Sequence, residues 1–276
     1  MVIKYAIVDG AIEEGLLDFL NEKQPPNCCL FPPPVQPDLV ALAPYLLEVT
    51  PEVDTWLGVK DTPWGLYLFS DNKIHMLVQH FRRYLWVYIP EQSKPVLFRF
   101  YDPRNIWVLT KVLTPADLRL LVEPVDKIST CYAGKEVEDS FPAFRQPDVR
   151  RLSGQNNTML TLTRRQYDKL SRQAQHNYIE KLSLYIHDYF ISVNYLSQTE
   201  DRYFRQLATD YFMFCQSLDI IDDRSIRGII LLLLKNNIHD SADIPQSWLD
   251  ILNSQNSSAH NRVERLLLQQ LGFVPQ

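Results

Sequence analysis

The hydrophobic period changes once along this chain, near residue 163, and that change restricts the fold more than any other feature. Up to about Asp126, short β-like runs alternate with segments whose apolar residues recur every three or four positions. From Thr163 onward only the helical repeat is present. A repeat of two places alternate side chains on the faces of a sheet, whereas a repeat of 3.6 lines one face of a helix. The pattern therefore predicts an α+β protein, with an N-terminal mixed α/β lobe followed by a C-terminal all-helical lobe. The boundaries read as 1–125 for the first lobe, 126–162 for a connector that can add an edge strand, and 163–276 for the helical bundle. With 276 residues, 46% of them hydrophobic, the chain can fill the cores this requires.

Within the first lobe, Tyr5 to Val8 reads as a buried strand ending at the Asp9-Gly10 turn, followed by a helix from Glu13 to Asn21. Gln24 to Pro37 holds six prolines, whose fixed φ and missing N–H exclude helix and central strand, so a loop is expected. A helix opens at Pro51, a strand covers Gly65 to Phe69, and a helix capped by Ser70 or Asp71 carries Leu77, Val78, Phe81 and Leu85. Leu85–Ile89 and Val96–Tyr101 flank a turn-prone Pro90–Pro95 and read as a hairpin, with Arg99 between Phe98 and Phe100 on a half-buried strand. Two short helices follow, Pro103–Val112 and one from Pro115 to Val122 capped by Thr114.

In the second lobe, Tyr167, Leu170, Ala174, Tyr178, Leu182, Tyr185, Ile186 and Tyr189 form one stripe of a long helix that opens on a Thr163/Gln166 capping box. Further helices read from Thr199 to Leu218, from Asp222 or Asp223 to Leu234, around Gln246–Leu252, and from Ser258 to Leu271. Gly272 then stops the last one, with Phe273 placed to pack back on it. The many tyrosines on these faces read mainly as core.

Several function classes lose support at this level. A net charge of −5 gives no diffuse positive field for nucleic acid. The longest apolar run, Ile229–Leu234, is far below the roughly 20 residues of a spanning helix, so no membrane insertion is expected. The opening residues do not read as a secretory signal, so export by the general pathway is not expected. Cys28, Cys29, Cys131 and Cys215 form no disulfide or zinc pattern and read as reduced, mostly buried thiols of a cytosolic protein. The phosphate-binding glycine motifs, the nucleophile-elbow motif and the zinc-peptidase helix are absent, so no cofactor, metal or catalytic residue is assigned.

His176 and His187 stand eleven residues apart on one helix, roughly 16 Å, too far to share a metal. The six histidines read as solvated or capping. Asp219, Asp222 and Asp223 could form a paired-carboxylate set, but a helix start favours capping. Arg150-Arg151 and Arg164-Arg165 read as solvated faces.

Four phrases in the first lobe carry a resemblance: Tyr5-Ala6-Ile7-Val8-Asp9-Gly10-Ala11, Pro63-Trp64-Gly65, His80-Phe81-Arg82-Arg83, and Phe98-Arg99-Phe100-Tyr101-Asp102-Pro103-Arg104. In this order and spacing they resemble the adaptor, or effector-chaperone, family of bacterial type VI secretion systems, a domain of unknown function. The resemblance covers nearly half the chain; the helical ending with Trp248 is similar only in general pattern. It implies a cytoplasmic chaperone that binds one cognate toxic effector and loads it onto the VgrG-type spike protein, without joining the fired device.

The last phrase also has a physical reading of its own. Proline disfavours helix at the residue before it, and Asp102 can cap a helix opening at Pro103. Arg99, Tyr101, Asp102 and Arg104 are the candidate partner-binding residues, with Arg99 and Arg104 best able to reach a partner. A hydrolase-like enzyme with a dispersed site and a generic interaction scaffold remain the competing readings.

Overall fold

The structure, a computed structural model, describes residues 2–144, 159–193, 201–254 and 256–275. In chain order the elements are β1 (Ile3–Asp9), α1 (Leu16–Lys23), β2 (Asn27–Cys29), α2 (Pro37–Val40), β3 (Pro44–Glu48), α3 (Pro51–Gly58), β4 (Gly65–Ser70) and α4 (Ile74–Arg82). Then come β5 (Trp86–Val87), β6 (Val96–Leu97), α5 (Pro103–Val112), α6 (Pro115–Val122), β7 (Lys127–Tyr132) and β8 (Lys135–Asp139). The remaining helices are α7 (Arg164–Ser192), α8 (Asp201–Ser217), α9 (Asp223–Lys235), α10 (Gln246–Leu252) and α11 (Ala259–Leu271). A mixed sheet-and-helix region is thus followed by a helical region. The chain divides into two compact units, Met1–Ala174 and Gln175–Gln276, and the division falls inside α7.

The first unit is built on a six-stranded sheet in the order β2-β3-β1-β4-β7-β8, with every neighbouring pair antiparallel. Alternation along β1 divides the core. Tyr5 and Ile7 join Leu46, Leu66, Leu68 and Ile128 against α4, α5 and α6, while Ala6 and Val8 join Tyr45 and Leu47 against α1 and α3. Both faces are buried, so β1 reads as one continuous apolar run although its partners are antiparallel.

Strands β1 and β4 approach so closely at Gly65 that a Cβ there would lie 1.9 Å from the Ile7 carbonyl oxygen. Gly65 also has φ +151°, a backbone geometry that other residues rarely adopt. Thr50, Asp102 and Thr114 cap α3, α5 and α6 through side-chain oxygens, each helix having proline in its first turn.

Several expectations change. The proline-rich loop contains a three-residue strand, β2, because Asn27 to Cys29 are free of proline and the sheet edge asks little of their neighbours. Helix α1 begins at Leu16: Glu13 is buried, taking an ion pair from Lys60 at 2.8 Å and the Thr62 hydroxyl. Helix α4 begins at Ile74 without a side-chain cap, since Ser70 is still in β4 and accepts from the Asn72 N–H.

The second hairpin strand ends at Leu97. The Phe98 N–H still donates to the Leu85 carbonyl at 2.7 Å, but the Phe100 N–H turns back to the Phe98 carbonyl at 2.9 Å, so the chain leaves the ladder before Phe100 and Tyr101. Of the cysteines only Cys215 is buried; Cys131 is exposed and all four are free. In the segment read as a connector, β7 lies inside the sheet and β8 at its edge. Residues 145–158, with Arg150-Arg151, lie outside the described residues.

The second unit packs the C-terminal part of α7 with α8 to α11 around Leu182, Ile186, Phe204, Leu207, Tyr211, Ile230, Leu233, Trp248 and Leu266. Gly228 lets α9 and α11 close on each other: a Cβ there would meet Leu267 at 2.5 Å. The Thr163/Gln166 capping box forms as expected. Asp222 caps α9 through the Ser225 N–H at 2.8 Å, and Asp223 receives the Tyr178 hydroxyl, Lys181 and Arg227. Asp222 thus caps the helix start, as expected, Asp223 is ion-paired in its first turn, and Asp219 lies in the turn after α8 with φ +59°. Helix α8 is described from Asp201; its expected opening at Thr199 falls outside the described residues. Phe273 is exposed, with the Lys235 ammonium 5.2 Å from its ring centroid. No described helix is long and apolar enough to cross a membrane.

Candidate partner-binding site

The phrase from Phe98 to Arg104 becomes a knot of charges and rings where β1 ends and α5 begins. Asp9 closes β1 and is buried. One of its oxygens accepts from the Ala11 N–H at 3.0 Å, and the other pairs with the Arg99 guanidinium. Burial pushes the Asp9 carboxyl above its ordinary pKa, and Arg99 opposes that rise. Asp102, also buried, accepts from the Arg104 N–H at 2.9 Å and from Arg104 Nε and Nη2 at 2.9 and 2.6 Å. One carboxylate therefore both caps α5 and grips a guanidinium bidentately. That grip raises the Arg104 pKa.

Aromatic packing fixes the rest of the phrase. The Phe100 ring stacks on Phe81 with centroids 5.5 Å apart and meets Tyr101 edge-on at 5.4 Å. Burial holds the Tyr101 phenol above its usual range. Of the four candidate residues, Tyr101 and Asp102 are internal, while Arg99 and Arg104 keep part of their side chains in solvent with each guanidinium bound to a carboxylate. The structure brings all four together with Asp9, a residue not picked out as a candidate from the sequence.

Arg99 and Phe98 also wall an apolar cavity of about 280 Å³. Its other walls come from the hairpin (Ile89, Leu97), from α5 (Leu109) and from the first turns of α7 (Tyr167, Leu170). The segment leading into α7 is held against the hairpin by Tyr88, whose N–H donates to the Leu160 carbonyl and whose carbonyl accepts from the Leu162 N–H, both at 2.9 Å. No His/Cys/Asp/Glu group among the described residues could hold a metal ion.

His80 was read as solvated or capping, yet it is buried at 7% exposure. Its Nε2 lies 3.0 Å from the Leu121 carbonyl and its Nδ1 3.0 Å from the Arg83 guanidinium. A carbonyl can only accept and a guanidinium can only donate, so the ring is the neutral tautomer protonated at Nε2. Burial lowers its pKa to about 4. The signal was present in the sequence, since His80 follows Leu77 and precedes Phe81 on the apolar face of α4.

The first unit is therefore a sheet-and-helix domain whose ion-paired turn opens onto an apolar cavity. Within it, residues 4–120 match the model of DUF4123, a domain of unknown function. All four resembling phrases fall inside the matched residues. No curated protein and no solved structure matches the chain.

Proposed function

We propose that this chain is a bacterial adaptor that holds a cognate toxic effector in the cytoplasm and delivers it to the spike protein of a type VI secretion system, catalysing no reaction itself. The family resemblance ties the DUF4123 domain to that system. The observation that carries the reading is the apolar cavity beside Arg99, walled by Phe98 and Arg99 within the residues that match DUF4123. A slot of this size takes one or two apolar side chains of a partner. The Asp9–Arg99 and Asp102–Arg104 pairs hold its wall rigid, as anchoring residues require.

The test is co-purification of the tagged chain from its own host, with the recovered proteins identified by mass spectrometry. A spike protein or toxin in stoichiometric amount is expected, and Leu170→Arg, which fills the cavity from α7, should reduce its recovery. If neither protein is recovered and a small molecule occupies the cavity instead, the dispersed-site enzyme replaces this reading.

A further inference from the structure

On the opposite face of the sheet, α1 and α3 lie side by side over the core formed by Ala6, Val8, Leu16, Val53 and Leu57. Between their outer surfaces is an open groove of about 700 Å³. Its floor is the stacked pair Phe19 and Trp56, with ring centroids 4.5 Å apart and planes 15° apart. Val59 stands at its lip, 79% exposed. Asp18 and Glu22, one helical turn apart on α1, face the groove together with Glu52 on α3. Lys23 is the one cation among the lining residues, and it is paired with Glu22 at 2.7 Å. Three carboxylates against one ammonium leave this apolar trough with a rim charge of −2.

We propose that the groove between α1 and α3 docks a basic amphipathic segment of a partner protein, with an apolar anchor on Phe19 and Trp56 and flanking Lys or Arg on Asp18, Glu22 and Glu52. Each helix of the groove is eight residues long, so it presents about 12 Å, room for roughly two turns of a docked helix. The Trp56 ring holds a cation outside the groove, since the Lys60 ammonium, which is paired with Glu13 and is not among the lining residues, sits 4.5 Å from its centroid. The acidic rim repels anionic membrane surfaces and nucleic acid, so a basic protein segment is the occupant that complements it. The inference goes beyond the adaptor reading and holds whether or not the partner belongs to a secretion system.

The test uses the full chain and a labelled helical peptide of about 14 residues, leucine on one face and lysine on the other, followed by fluorescence anisotropy. The peptide should bind, and its leucine/glutamate counterpart should not. The triple variant D18K/E22K/E52K should weaken binding by about tenfold or more, whereas E136K/D188K/D250K, with the same net charge, should change it by less than about threefold. All six positions are exposed, and circular dichroism checks that both variants remain folded. Val59→Ser, which leaves the charge unchanged, should weaken binding by about threefold. Equal weakening by both triple variants, or no binding by the wild type at about millimolar peptide, overturns the proposal. Wild-type self-association that the groove variant abolishes also overturns it, by assigning the groove to a second copy of the chain.

Discussion

Acidification should destabilise the first unit through His80 alone by an amount the structure supplies. In the unfolded chain this imidazole takes a proton near its ordinary value of 6.5, whereas in the folded protein burial delays it to about 4. Between those values the unfolded state binds the extra proton, so stability is intact above about pH 6.5 and falls as pH drops toward 4. At about 1.4 kcal/mol for each pH unit, the loss is on the order of 3 kcal/mol. Carboxylates titrate in the same window, so the measurement is the difference from His80→Gln, which is neutral throughout and keeps an amide to donate to Leu121. Urea unfolding followed by tryptophan fluorescence reports the first unit, which holds Trp56, Trp64, Trp86 and Trp107. The wild type should lose about 3 kcal/mol more than the variant between pH 7 and pH 4. Parallel stability curves, or a His80 resonance that titrates near 6.5, would refute the reasoning.

Two further outcomes test the architecture around the site. Arg99→Ala strands the buried Asp9 carboxylate and should cost about 2–3 kcal/mol in urea unfolding, less than a fully buried pair because Arg99 is partly solvated. Adding Asp9→Asn should restore part of the loss, and an unchanged midpoint for Arg99→Ala would contradict the ion-pair account. Gly65→Ala drives a methyl into the Ile7 carbonyl of the neighbouring strand and should lower stability by more than about 2 kcal/mol or prevent folding, read by thermal melting and soluble yield.

Elements signalled by local chemistry were legible from the sequence. Proline in the first turn behind Thr50, Asp102 and Thr114 marked the starts of α3, α5 and α6, because capping involves only neighbouring backbone. Asp222 at α9 and Gly272 after α11 were legible for the same reason. The misread elements depended on distant partners. Ser70 looked like a helix cap but belongs to β4, whose length is set by its pairing with β1.

Residues 98–101 looked like a strand, yet Arg99 turns toward Asp9 across ninety positions of sequence and Phe100 turns toward Phe81. His80 looked solvated because its partner Leu121 lies forty-one residues away. The candidate site divides in the same way. Its residues could be named from one phrase, but the Asp9 pairing and the cavity behind Phe98 exist only once β1, α5 and α7 are brought together.

The amino-acid sequence by itself determined where the period changes from sheet to helix, which residues open most helices, and which phrase would form the strand-to-helix turn. Those properties depend on side-chain alternation and on hydrogen bonds spanning a few residues. Only the tertiary structure decided the strand order, the carboxylate each arginine meets, the neutral state of His80 and the acidic groove over Phe19 and Trp56. Burial and charge pairing are set by atoms that approach only after the chain has closed on itself.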